Sequence, residues 1–169
     1  MVVAPTPRPT DPAWETAAVR VTAKVDYALR ALVELAATDG ATVKGEALAT
    51  AQGIPLKFLE NILAELRRAG LVGSQRGADG GYRLQRAASE ISVADVIRAV
   101  EGPLADVHGT SPERLTYRDP ATSMRDVWIA TRSALRDVLE ETTIAAIVSG
   151  ELPPSVTEQL DRPGAARRR

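Results

Sequence analysis

The chain has no cysteine among its 169 residues. Because thiolates form disulfides and hold most iron–sulfur clusters, this absence excludes a disulfide framework and any cysteine-ligated cluster. Aromatic residues are also scarce, at 4% of the chain against 44% hydrophobic residues overall, so we expect a core of Ala, Leu, Val and Ile. No apolar run approaches the roughly 20 residues that span a bilayer, and no signal peptide is visible. These features favour a cytoplasmic protein with no membrane partner.

The charged residues are unevenly distributed, although the net charge is only −1. Residues 20–86 contain ten Lys and Arg against seven Asp and Glu, whereas residues 87–161 contain six against thirteen. Residues 162–169 contain four Arg and no acid. Because the location of charge governs phosphate binding more than its total does, the front half is the part better suited to bind phosphate groups. The excess is modest, so we expect a dimer to be needed for useful affinity.

Residues 49–85 predict a short helix, a tight turn, a longer helix and a two-stranded ribbon. Gly53 ends the first helix, since glycine tolerates the left-handed conformation of many helix exits. Pro55 begins the second, at a first-turn position where its missing N–H costs nothing. That helix stops at Gly70, and a glycine-rich turn at 77–81 divides the ribbon that follows. This order is typical of a winged helix-turn-helix DNA-binding domain.

The longer helix has two distinct sides at 100° per residue. One side is apolar and is expected to pack on the preceding helices: Leu56, Leu59, Ile62, Leu63 and Leu66. The other carries two cations, an amide and a small residue: Lys57, Asn61, Ala64 and Arg68. Asn can pair with adenine, Lys with guanine or phosphate, and Glu60 on the flank with cytosine N4. The base-contacting candidates are therefore Lys57, Glu60 and Asn61, although an ordinary amphipathic helix with a solvated face explains the pattern equally well on its own.

The ribbon that follows this helix favours DNA binding over an ordinary amphipathic helix. Arg76 lies at its base and Arg83 on the returning strand, where both could contact phosphate or enter a minor groove. Arg68 at the end of the helix is a third candidate for the backbone. A nucleotide-binding phosphate loop would need its lysine and a following helix, and neither is present.

Several motifs together resemble one family of bacterial transcription regulators, the IscR/NsrR/CymR or Rrf type. They are the segments 21–29, 58–63, 66–72, 76–77 together with 80–84, and 96–104. The resemblance covers roughly residues 20–150. It implies a mainly α fold, with a two-stranded β wing and a long C-terminal dimerisation helix. It also implies that Lys24 and Tyr27 lie near the DNA backbone. The family usually has Pro-Gly where this chain has Ala78-Asp79, which places a negative charge at the wing tip.

Two capping boxes are predicted after the wing, where Ser92 precedes Asp95 and Ser123 precedes Asp126 by three residues. The second opens a long helix that runs to about Glu141. A 4-3-4-3 spacing marks a helix-pairing seam along it: Met124, Trp128, Thr131, Leu135 and Val138. The resemblance implies a homodimer formed by this helix, with Trp128 as our choice of anchor. A helix packed on its own domain is the alternative. A symmetric dimer would match a palindromic operator in double-stranded DNA, with repression as the expected mode.

In many relatives the stretch after Gly102-Pro103 carries three cysteines that hold an iron–sulfur cluster. The corresponding region, 104–122, has none, so we expect a cluster-free member with no cofactor and no metal. His108, the single histidine, lies in this loop beside Asp106. A lone histidine there could bind a metal or sense pH, but an ordinary polar loop residue is the more common case.

We therefore divide the chain into five segments: a disordered extension (1–19), a winged helix-turn-helix domain (20–103), a loop (104–122), a dimerisation helix followed by a closing helix (123–150) and a flexible tail (151–169). The predicted function is sequence-specific DNA binding for transcription regulation. A protein-interaction module that uses the acidic rear half is one alternative. A regulator with a small-molecule effector pocket between the loop and the dimer helix is another. One histidine, no cysteine and no evident carboxylate pair argue against an enzyme.

Overall fold

The computed structural model describes residues 21–77 and 79–167. The expectations for 1–19, for Ala78 at the wing tip and for the last two arginines lie outside these residues. The described residues form seven α-helices and one two-stranded sheet, which confirms the predicted fold class. In chain order they are α1 (Ala23–Ala36), α2 (Gly45–Gln52), α3 (Leu56–Arg68), β1 (Val72–Gln75), β2 (Gly81–Leu84), α4 (Val93–Val100), α5 (Met124–Leu139), α6 (Ile144–Ser149) and α7 (Pro154–Leu160).

Helix α1 lies at the centre of the packed part of the molecule. It contacts α2, α3, α4, α6 and β2. Ala28, Ala31 and Leu32 on its inner side have no exposed surface. The small alanines let the neighbouring helices approach α1 closely, and the buried hydrophobic side chains are all Ala, Leu, Val or Ile, as predicted.

The helix-turn-helix forms where the sequence predicted it. Gly53 ends α2 with φ 60° and ψ 37°, a left-handed conformation that suits glycine. Pro55 is the N-cap of α3 rather than a first-turn residue, because its ψ of 122° is extended and the helix begins at Leu56. Leu56 is 37% exposed, so this first residue does not join the buried side as expected.

The wing is a short antiparallel hairpin that is tied to the helices. Its register pairs Val72 with Leu84 and Gln75 with Gly81. β2 also pairs with the loop before α2, where Val43 donates to and accepts from the backbone of Tyr82 at 2.9 and 2.8 Å. The wing base is therefore fixed relative to α2 and α3.

The rear half follows the sequence less closely. Ser92 and Asp95 form the predicted capping box of α4. Ser123 makes no capping hydrogen bond, because its own backbone is helical and its side chain does not face the amides of α5. Residues 154–160, which we expected within a flexible tail, form α7 and contact α5. Within 21–77 and 79–167, no helix combines the length and apolarity that a membrane crossing requires.

Replacing Gly81 with alanine tests how tightly the wing base is held. A Cβ atom there would lie 2.5 Å from the Val43 carbonyl oxygen and 3.1 Å from the Lys44 nitrogen, both of them backbone atoms. We expect Gly81→Ala to lower the free energy of unfolding by about 1–3 kcal/mol, the usual cost of overpacking. Urea unfolding measures it.

Gly73→Ala is the matched control on the paired strand. Its Cβ would meet the end of the Gln85 side chain, which can rotate away, so we expect a loss below about 1 kcal/mol. Equal losses for the two variants would contradict a rigid contact at Gly81.

Candidate nucleic-acid interface

The exposed side of α3, which we call the recognition face, consists of Lys57, Asn61, Ala64 and Arg68. On the opposite side, Leu59, Ile62, Leu63 and Leu66 are at most 1% exposed. The Lys57 side chain is 92% exposed, and Asn61 and Arg68 also face solvent, while Ala64 is half-buried. The predicted outward projection of 57, 61 and 68 is therefore present.

Glu60 flanks this face and forms an exposed ion pair with Lys57. Its carboxylate lies 3.8 Å from Lys57 Nζ, and the Glu60 side chain is 51% exposed. Such an exposed pair contributes little to stability. Both side chains remain available to a base edge or a phosphate.

The start of α3 exposes two apolar residues, Leu56 and Phe58, neither of which was predicted to lie at the surface. Phe58 is 41% exposed, and its ring packs edge-on against Tyr27, with the ring centroids 5.8 Å apart. The Arg30 guanidinium also lies over the Tyr27 ring, 5.5 Å from its centroid. Tyr27 is thus half-buried between Phe58 and Arg30. No sequence signal placed these three residues together, since they come from two helices.

Lys24, predicted to lie near the DNA backbone, makes two contacts within its own chain. Its ammonium lies 2.8 Å from Glu65 Oε2 and donates to the Val100 carbonyl oxygen at 2.6 Å. The side chain therefore joins α1 to α3 and α4 inside its own chain. These contacts give Lys24 a structural role, and its contact with the DNA backbone stays a prediction.

The wing presents its cations beside α3. β2 alternates, with Tyr82 and Leu84 turned toward the core and Arg83 exposed. Arg76 is exposed just after β1. A cleft of about 380 Å³ separates the wing from the start of α2 and is lined by Lys44, Arg67 and Arg76, together with Glu46.

Lys44 and Arg67 were missed as candidate backbone contacts. Arg67 Nη1 donates to Ser74 Oγ at 3.2 Å, which links the end of α3 to β1. The sequence showed both cations, but only the fold brings them to one cleft with Arg76.

Helix α5 is unusual because none of its 16 residues is buried. Val127 is 56% and Met124 41% exposed. Trp128, the predicted dimer anchor, is half-buried and donates from Nε1 to the Tyr117 hydroxyl at 3.0 Å, so part of it packs on its own chain. The exposed apolar stripe is correspondingly rotated from the predicted seam, toward Val127 and Ala134.

The loop 104–122 is held to α5 by side chains. Arg132, only 11% exposed, pairs with Glu113, and Pro112 is buried. His108 is exposed with φ 51°, and Asp106 Oδ1 is buried without a partner among the described residues. In the same residues no group of three or more His, Asp or Glu side chains is placed to hold a metal ion.

Comparison with known proteins identifies the family. The Rrf2 family, described as iron-dependent transcriptional regulators, matches residues 21–150. The chain belongs to the Rrf2 family. Its members are transcriptional regulators rather than enzymes, and this protein is accordingly a DNA-binding transcription regulator.

The Rrf2 relatives match most of the chain. Over 144 residues it is 49% identical to a candidate HTH-type transcriptional regulator of Mycobacterium tuberculosis, covering 85% of this chain and 89% of the relative. The structure of CymR (YrzC), the global cysteine regulator of B. subtilis, superposes with a TM-score of 0.67 at 32% identity and covers 79% of this chain and 98% of CymR. T. potens IscR gives 0.63 at 32% identity, with coverage of 79% and 88%.

Iron, which the family description includes, does not fit the residues of this Rrf2 protein. The sequence has no thiolate ligand and one exposed histidine. A cysteine-ligated cluster is chemically excluded.

Replacing Lys24 with methionine separates its two possible roles. The change leaves Glu65 and the Val100 carbonyl without their donor, so we expect the free energy of unfolding to fall by about 1–3 kcal/mol. The salt dependence of DNA binding should stay unchanged, because no phosphate contact is lost. Urea unfolding and DNA titration at several salt concentrations measure both.

Lys57→Met is the matched control. At 92% exposure it should leave stability unchanged, while a lost phosphate contact would lower the salt slope by about one. A Lys24→Met protein with unaltered stability and a lower salt slope would show that Lys24 contacts the DNA backbone instead of stabilising the fold.

Proposed function

We propose that this Rrf2 protein is a homodimeric repressor that inserts the recognition face of α3 into the major groove. The observation that carries the proposal is the two-sided burial of α3. Its apolar side is sealed in the core, while Lys57 and Asn61 project together into solvent. An Asn amide matches adenine, and a Lys ammonium matches guanine or phosphate. Glu60 on the flank is the third base-contacting residue.

The wing supplies contacts to the backbone in this proposal. Arg76 and Arg83 are exposed on the hairpin, and Lys44 and Arg67 line the adjoining cleft. Phosphate contacts position a protein on the duplex without selecting sequence. Arg68, at the far end of α3, would reach the backbone about 16 Å from Lys57, at 1.5 Å per residue. We therefore separate these arginines from the base-contacting group.

Dimerisation through α5 is supported by its exposure. A 16-residue helix with no buried residue and an apolar stripe is expected to pack against a second copy. The stripe follows a heptad-like spacing: Met124, Val127, Thr131, Ala134 and Val138. Small residues at 130, 131 and 134 would let two helices approach closely. A two-fold dimer of this kind matches a palindromic operator.

Repression requires the least additional machinery, since occupancy of an operator that overlaps a promoter blocks transcription. A repressor acts on the chromosome, so we also propose a cytoplasmic location. Duplexes for the experiments below are selected by the purified full-length protein from fragmented genomic DNA. Capture of a second protein in place of any specific duplex would favour the interaction-module alternative.

Asn61→Ala and Arg76→Ala should affect DNA binding differently. Loss of a bidentate base contact costs about 1–3 kcal/mol at the correct site and little on random DNA, so Asn61→Ala should reduce sequence preference about tenfold. Arg76→Ala should weaken operator and random DNA alike and lower the salt slope by about one. Titration of both duplexes over a range of salt measures this.

Arg125→Ala serves as the control, because this exposed arginine lies on α5, away from the recognition face and the wing. It should leave both affinities within about twofold. Equal losses on operator and random DNA for Asn61→Ala and Arg76→Ala would defeat the division into base and backbone contacts.

Val127→Asp tests the dimer. A C2 interface receives the change twice, and a carboxylate without a partner in an apolar contact costs several kcal/mol, so we expect the dimer dissociation constant to rise about 100-fold or more. Ser133→Asp, about 120° around the same helix, should have little effect. Sedimentation measures both. A Val127→Asp protein that remains dimeric would rule out this stripe as the interface.

A further inference from the structure

A second cleft with cationic side chains involves none of the residues of the recognition face. This cleft of about 260 Å³ opens between α4, the turn that follows it and α5. Its lining consists of Arg98, Gly102, Pro103, Leu104, Arg132 and Arg136. We propose that this cleft binds a small dianion with carboxylate or phosphate groups, and that this anion regulates DNA binding. The inference rests on the proposed function for its readout but not for its binding site.

Two of the carboxylates that hold the cleft arginines are each shared between two arginines. Glu140 is shared, since it accepts from Arg98 and lies 3.6 Å from Arg136 Nε. Asp95 is likewise divided between Arg98 and Arg86, at 3.7 and 3.8 Å. Arg132 pairs with Glu113, so three carboxylates are divided among the three cleft arginines and Arg86. The three arginines come together here although residues 87–161 contain more than twice as many acids as bases.

The arginines are also positioned before any ligand arrives. The Arg132 side chain is 11% exposed and is held by Glu113, and Arg98 and Arg136 are held by Glu140. Guanidinium groups bind carboxylate and phosphate through paired N–H donors, so a fixed arrangement raises affinity for those anions. A chloride ion lacks the several oxygen acceptors that would bind paired N–H donors from three guanidinium groups.

The size and the apolar wall restrict the ligand further. The volume lies below the 300–1,000 Å³ of most ligand pockets, so a compact molecule fits best. Leu104, which is 8% exposed, and Pro103 supply apolar surface. A short carbon skeleton with an acidic group at each end, or a phosphate, matches this lining.

Ligand binding would affect both the DNA-binding helices and the dimer helix α5. The Arg98–Glu140 pair joins α4 to α5 across 42 residues of sequence. An anion that binds Arg98 and Arg136 shares their N–H donors with Glu140, so it weakens the link between α4 and the end of α5. α4 packs on α1 and α3, and α5 carries the dimer stripe, so the angle between the two recognition faces would change.

The test uses two probes, succinate and inorganic phosphate, with the full-length dimer in a non-phosphate, non-carboxylate buffer. Calorimetric titration is compared with sodium chloride at matched ionic strength. We expect saturable binding of at least one probe and none of chloride. Arg136→Gln should weaken it about fivefold, since a partly exposed charge-assisted contact is lost. Arg125→Gln, on the same helix outside the cleft, should stay within about twofold of wild type.

Operator titration then tests regulation. Saturating probe should shift wild-type operator affinity by about threefold or more, and Arg136→Gln should lose the shift at the same probe concentration. No saturable binding, or equal binding by Arg136→Gln and Arg125→Gln, overturns the site. Binding that leaves operator affinity unchanged overturns the regulatory role. If Arg136→Gln loses operator affinity without any probe, the cleft contacts DNA phosphate instead and the inference fails. Absence of operator binding by the wild type without probe is a separate result, which counts against the proposed function.

Discussion

The burial of four side chains on one side of α3 determines what the rest of the molecule can do. Leu59, Ile62, Leu63 and Leu66 are sealed against the helices around α1. Burying a side chain of this size contributes about 1.5–3 kcal/mol, so the four together contribute about 6–12 kcal/mol. A rotation of α3 by one residue would expose part of this surface and bury Lys57 or Asn61. The recognition face is therefore fixed by packing on its other side.

Local patterns explain why much of this arrangement could be predicted from the sequence. The apolar spacing of α3, the glycine at 53 and the Ser92–Asp95 box depend on residues within a few positions of one another. The glycine-rich turn between two short strands likewise predicted the wing. These signals need no knowledge of what packs against them.

The features that the sequence did not predict mostly depend on remote partners. The local pattern around Lys24 gives no sign of Glu65 and Val100, which lie 41 and 76 residues further along. Trp128 fitted a helix-pairing seam, but Tyr117 in the preceding loop provides its hydrogen-bond partner. Ser123 has the capping pattern without the extended backbone that a cap requires. α7 was missed because its prolines suggested a tail, although proline at the first turn suits a helix.

The lack of cysteine has a structural counterpart in how the loop 104–122 is fastened. Instead of metal ligation, Glu113 pairs with Arg132, the Tyr117 hydroxyl accepts from Trp128, and Pro112 is buried. All three contacts lead to α5 or its surroundings. Because contacts of this kind are weaker and more numerous than metal bonds, they can be rearranged by a ligand of ordinary affinity. An anion sensor in this region is thus compatible with the chemistry that the chain retains.

The position of α4 explains why a small change near α5 would matter for DNA. α4 packs on α1 and α3 on one side and contacts α5 on the other. In a two-fold dimer, the two recognition helices must enter successive major grooves about 34–36 Å apart. In the proposed dimer, a small rotation of α5 relative to α4 would change how the two recognition helices are placed relative to each other. A ligand bound at the ion pairs between α4 and the end of α5 would then alter operator binding without competing with DNA for residues on α3.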